Sequence, residues 1–170
     1  MAVIDQKWRT RLQKALGHSD MINTKKLGNK ILAIDKKHAE ELRRIIKKYG
    51  WPTISLVGKK SSHLAWLLAQ HSDHDRKFQE VCLNLLKEAV KKNDASPINF
   101  VYLNDRIKVA QNKPQLFGTQ FKRNINGTRI PFPIYKPSRV DKRRKKYGLG
   151  SLEKNIKMIS KIYKYKGGKK

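Results

Sequence analysis

The chain has 170 residues, with 40 Lys and Arg against 13 Asp and Glu, for a net charge of +27. That length suits one domain of common size and is short for two well-buried ones. No stretch approaches the ~20 consecutive apolar residues of a membrane span, and the single cysteine, Cys82, excludes an intrachain disulfide or a multi-cysteine metal site.

The N-terminus, Met1-Ala2-Val3-Ile4-Asp5, has no apolar signal core, so a cytoplasmic location is expected. Residues 5–16 read as a short helix with Trp8, Leu12, Ala15 and Leu16 on one side. Residues 18–34 are ambiguous. Asp35 then suits the N-cap of a helix over 36–49, ended by Gly50 before Trp51-Pro52. Ser61 or Ser62 suits the cap of a third helix to about Gln70. The fourth, from Asp75 to Lys92, has the cleanest apolar stripe, through Phe78, Val81, Cys82, Leu85, Leu86, Ala89 and Val90. Cys82 in that stripe reads as a small core residue. Ser96-Pro97 starts a fifth helix. After it the periodicity stops, and Asn126-Gly127 between two short runs is the pattern of a small β-hairpin near 120–131. Two short helices follow, about 138–147 and 151–163. The expected fold is all-α: a compact multi-helix bundle with one irregular polar loop and a basic C-terminal helical extension. The expected divisions are an N-terminal helix and linker (1–34), a helical core with a polar pocket (35–135) and the basic extension (136–170).

Residues 136–170 hold 14 bases and 2 acids, nearly half of the excess charge. Such a field attracts polyanions, with nucleic acid the commonest partner and anionic membrane second. Arg139, Lys142, Arg143, Arg144, Lys145 and Lys146 are the candidate phosphate contacts, and Tyr147, Tyr163 and Tyr165 the candidate stacking platforms.

Three polar segments interrupt the apolar pattern. Gln70-His71-Ser72-Asp73-His74-Asp75 joins two apolar helices, where one Asp is expected to cap the second. Asn104-Asp105-Arg106 lies in the fifth helix. Pro114-Gln115-Leu116-Phe117-Gly118-Thr119-Gln120 offers two amides and a hydroxyl around a glycine and carries no charge.

Those segments, with Tyr49-Gly50-Trp51-Pro52, Phe78-Gln79 and Val140-Asp141-Lys142-Arg143-Arg144, resemble a bacterial domain family of unknown function over about residues 35–150. The resemblance implies a mostly helical domain with a polar pocket. By position it picks out Trp51, Gln70, His71, Asp73, Asp105, Arg106, Gln115, Thr119 and Gln120. Phe117 departs from the pattern, which carries Tyr there, and so does the heavy basic loading of the tail.

Hypotheses of different classes stand side by side. In a metal-independent phosphodiesterase acting on RNA, His71 is the acid or base, Asp73 orients it and Arg106 stabilises phosphorane charge. Trp51, Gln70, Asp105, Gln115, Thr119 and Gln120 then surround the substrate. In a metal-dependent phosphohydrolase, His38, His74, Asp75 and Asp105 are the ligands. In a binding module, the basic face takes RNA or DNA and the polar loop is structural. A toxin-like effector domain is a further alternative. The cofactor and the oligomeric state are both left open.

Overall fold

The computed structural model describes residues 7, 9–11 and 21–162. The fold is all-α apart from one two-stranded antiparallel sheet. It divides into two compact units, Met1–Ala95 and Ser96–Lys170. Among the described residues no helix is long and apolar enough to cross a membrane.

The first unit contains α1 (Met21–Tyr49), α2 (Ile54–Gln70) and α3 (Arg76–Lys91). α1 packs on α2 and α2 on α3. α1 runs unbroken through Asp35, which the sequence suggested as a cap. The reason is periodicity: Ile31, Asp35, the pair His38 and Ala39, and Leu42 are all buried and recur every three or four residues, so they share one stripe. Asp35 is tolerated on that stripe because Arg9 pairs with it. Of the expected first helix, Lys7 and Arg9–Arg11 are helical, whereas Trp8, Leu12, Ala15 and Leu16 lie outside the described residues.

Gly50 ends α1 at φ 76°, with its N–H on Ile46 O at 2.9 Å. α2 begins seven residues before Ser61. Thr53 caps it through Leu56 N–H, and Ser62 is buried in its interior. Asp94 secures this start, accepting from Ser55 N–H at 2.7 Å and Ser55 Oγ at 2.6 Å. Gly58, at φ 77° and ψ 160°, kinks α2 four residues after its start. α3 starts as expected, with Asp75 accepting from Phe78 N–H at 3.0 Å. Phe78, Cys82, Leu86 and Ala89 are its buried stripe, and Val81 is half exposed.

The second unit contains α4 (Pro97–Ala110), the hairpin strands β1 (Phe121–Arg123) and β2 (Arg129–Pro131), a 3-10 turn (Pro137–Arg139), α5 (Val140–Lys145) and α6 (Leu152–Ile162). Lys122 faces Ile130 in the hairpin, and Gly127 takes φ 78° in its loop. α6 packs on β2 and on α5. Phe100, Val101, Leu103, Ile107, Phe117 and Val140 form this unit's apolar core.

Candidate functional site

The loop 115–120 is held on both sides by side chains. Asp105, on the buried face of α4 and fully enclosed, accepts from Leu116 N–H at 2.8 Å and from Phe117 N–H at 3.1 Å. It also accepts from Thr119 N–H at 3.1 Å and Thr119 Oγ1 at 3.0 Å. The carbonyls of the same stretch go to α5 and α6. Arg143 Nε donates to Leu116 O at 2.6 Å, Arg144 donates to Phe117 O at 2.6 Å, and Asn155 donates to Gly118 O at 3.4 Å. Arg143 further reaches the carbonyls of Tyr135 and Lys136, and Arg144 that of Gly150. A buried loop must satisfy every backbone donor and acceptor, and here one carboxylate takes the donors while two guanidiniums and an amide take the acceptors.

Gln115 completes the arrangement. Its amide is fully buried, donating to Gln120 O at 3.0 Å and Phe132 O at 2.9 Å and accepting from Gln120 N–H at 2.9 Å. It thereby closes the loop on itself and ties it to the strand side. Gln120 Nε2 donates to Thr119 Oγ1 at 3.1 Å. Burial pushes the Asp105 carboxyl above its usual range, and the hydrogen bonds from Thr119, Leu116 and Phe117 pull against that shift. Burial likewise lowers Arg144, opposed by the charges of Tyr102, Asp141 and Asp105. Arg106, on α4 beside Asp105, is half-buried.

The 70–75 turn is built in the same way. Ser72 is fully buried and donates from Oγ to Leu68 O at 2.9 Å. Gln79, also fully buried, donates from Nε2 to Ala69 O, Gln70 O and Asp73 Oδ1 at 3.1–3.2 Å. Asp73 lies 3.8 Å from Arg76. Asp75 accepts from Arg43 at 2.6 Å while capping α3, and the Arg43 guanidinium sits 4.5 Å over the Phe78 ring. His71 caps the C-terminal end of α2 and is half-buried. Trp51 precedes the N-terminal end of α2, so the two residues flank opposite ends of that helix. Buried atoms without a hydrogen-bond partner include Trp51 Nε1, Gln70 Oε1, Gln79 Oε1 and Asn104 Oδ1.

A family model spans residues 1–168. The chain belongs to this family of unknown function, DUF6624. No curated protein and no solved structure matches the chain. In this DUF6624 chain the sequence-selected residues divide between the units. Trp51, Gln70, His71 and Asp73 belong to the first, and Asp105, Arg106, Gln115, Thr119 and Gln120 to the second. Within the second unit, Asp105, Gln115, Thr119 and Gln120 come together around one loop.

The two carboxylates of the proposed metal set have other partners. Asp75 is held by Arg43 and Phe78 N–H, and Asp105 by the loop. Among the described residues no three His, Cys, Asp or Glu gather to hold a metal ion.

The basic segment also divides. Arg139, Lys142, Lys145 and Lys146 are exposed. Arg144 is 3% exposed and Arg143 is half-buried, and both spend their guanidiniums on backbone carbonyls. Tyr147 packs between Phe100 and Phe117, with ring centroids at 5.7 Å and 5.2 Å, rather than offering a face to a base. Tyr163 and Tyr165 lie outside the described residues. Sequence reasoning passed over Gln79 and the inward role of Arg144. Both had a signal: Gln79 is three residues before Cys82 on the apolar stripe, and Arg144 is one helical turn after the buried Val140.

Proposed function

We propose that this protein binds a phosphate-rich polyanion, RNA or DNA, through the exposed bases of its second unit. The observation that carries the reading is the charge balance of residues 96–170, which hold 20 Lys and Arg and 3 Asp and Glu. All three acids are engaged locally. Asp105 is buried in the loop, Asp141 accepts from Leu152 N–H at 2.7 Å, and Glu153 pairs with Lys157 at 2.6 Å. The surface positive charge is therefore almost uncompensated. Lys136, Arg139, Lys142, Lys145 and Lys146 cluster within eleven residues, all of them exposed. Tyr135, 48% exposed with Lys136 Nζ 5.2 Å from its ring centroid, adds an aromatic face beside a cation. Lysines on such a surface neutralise phosphates and release counterions, a mode that needs no base-specific contact.

The test is gel retardation of labelled RNA and DNA across a salt series, with and without EDTA. Expected is retardation that weakens linearly in log affinity against log salt. Absence of retardation at low salt, or affinity indifferent to salt, overturns the reading. The same lanes report cleavage, and its loss in His71→Ala would add hydrolysis to binding.

A further inference from the structure

We propose that the first unit binds a single-chain anionic amphiphile, a fatty carboxylate of medium length, in the cavity between α1 and α2. The cavity has a volume of about 270 Å³. Leu42 and Ile45 of α1 and Val57, Leu64 and Leu68 of α2 line it, with Ser61 the polar side chain at its rim. An apolar cavity of about 150 Å³ stays dry and takes benzene, so by the same measure this one holds roughly ten carbons of chain. The walls offer almost nothing for a sugar, a base or a phosphate to bond, which restricts the buried part of a ligand to hydrocarbon.

The mouth supplies the other half of the recognition. Val57 and Ser61 are exposed, so the cavity opens where α2 is kinked at Gly58. Leu56, 57% exposed, and Val57, 38% exposed, give that opening an apolar lip. Lys60 is exposed and lies one helical turn before the lining residue Leu64. Lys48, three residues after the lining residue Ile45, is exposed as well. From Leu42 to Ser72 the chain holds six Lys and Arg and no Asp or Glu. Arg43 and Arg44 pair with Asp75 and Glu41, and Asp94 is taken up by Ser55, which leaves Lys48 and Lys60 to set the charge beside the lining faces. An apolar slot with a cationic rim is complementary to a hydrocarbon tail with an anionic head, and a long-chain alcohol satisfies only half of it. The ligand is taken from solution as a single molecule, since the slot has room for one chain.

The probe is decanoate, titrated into the full-length protein below its micelle concentration and followed by calorimetry and by the fluorescence of Trp51 and Trp66. Expected is saturable binding of one equivalent, with decanol weaker than decanoate. The exposed pair Lys48→Glu and Lys60→Glu should weaken decanoate by about tenfold while leaving the melting temperature in place. Ala65 also lines the slot, so Ala65→Phe should fill it and abolish binding. Where that variant fails to fold, Ser61→Trp at the exposed rim is the substitute. No saturation by decanoate, equal affinity in the charge-reversed variant, or sedimentation with anionic vesicles without decanoate binding each overturns the proposal. Retardation of nucleic acid is read separately on the same variants.

Discussion

Asp105 and Arg144 meet at one residue. The Asp105 carboxylate accepts the N–H of Phe117, and the Arg144 guanidinium donates to its carbonyl at 2.6 Å. A buried acid and a buried base are thus joined through the two peptide groups that flank one Cα. Removing either leaves loop groups without partners in a region closed to water. Asp105→Asn exchanges an acceptor oxygen for an NH2 aimed at N–H groups, and should cost about 3 kcal/mol. Arg144→Lys loses the fork that reaches Phe117 O and Gly150 O together, and should cost about 2 kcal/mol. Chemical denaturation followed by circular dichroism measures both. A loss below about 0.5 kcal/mol in either variant would show that water replaces the missing partner.

Two glycines make a matched pair. Gly118 and Gly148 both take φ near 70°, where a Cβ is strained. A Cβ on Gly118 would lie 2.6 Å from Leu152 Cδ1, and one on Gly148 would meet nothing within 4 Å. Gly148→Ala should therefore cost about 1 kcal/mol, from backbone strain alone. Gly118→Ala should cost about 1–3 kcal/mol more, because it also overpacks. The second substitution Leu152→Ala should recover part of that extra loss, and a thermal melt of the four proteins decides it.

Cys82 is fully buried, and burial pushes its thiol up to about 12. The native thiol should react with a disulfide reagent only when α3 opens, at a rate far below that of a free thiol. Its labelling kinetics across denaturant, read by mass spectrometry, should follow the stability of the first unit. Immediate labelling of native protein would contradict the burial.

Asp94 sets an acid limit on the first unit. The Ser55 hydroxyl, followed by the Ser55 N–H, holds its carboxyl below the ordinary value of 3.8. A lowered folded-state pKa means that Asp94 stabilises the fold above its unfolded value and that this contribution is lost as pH falls through the folded value. Asp94→Asn should consequently melt lower than the parent at about pH 6, and the difference should shrink below about pH 4. A gap constant with pH would assign the effect to packing alone.

The exposed lysines and the inward arginines separate binding from stability. Lys145→Gln with Lys146→Gln should lower the slope of log affinity against log salt by about 2 and leave the melting temperature unchanged. Arg143→Gln should do the reverse, lowering the melting temperature with little change in the slope, since its donors serve Leu116, Tyr135 and Lys136 carbonyls.

The fold was legible wherever burial imposed a period. α3 shows its stripe and its Asp75 cap directly, and the hairpin follows from Asn126-Gly127. The start of α1 was hidden because Lys25, Lys26 and Lys30 dilute the stripe that Ile31 begins. The early start of α2 was hidden because Ile54–Val57 is a single turn that Gly58, at φ 77° and ψ 160°, separates from the longer helical stretch behind it. The polar motifs were legible as a group but their use was not. Sequence shows that Asp105, Gln115 and Thr119 are polar. It does not show that their partners are the loop's own peptide groups, because backbone hydrogen bonds leave no trace in residue type. Arg143 and Arg144 illustrate the same limit: a run of five bases looks uniform until α5 turns Arg144 inward and lays Arg143 on the loop carbonyls.

The reach of these bonds along the chain also bears on the order in which they form. Asp105 captures peptide groups 11–14 residues ahead of it, whereas Arg143 and Arg144 reach the same turn across 27 residues. Closing the shorter loop takes on the order of 10–100 ns and costs less chain entropy than closing the longer one. The Asp105 contacts to the turn should therefore form before the Arg143 and Arg144 contacts to it, an order that the φ-values of Asp105→Asn and Arg144→Lys would read.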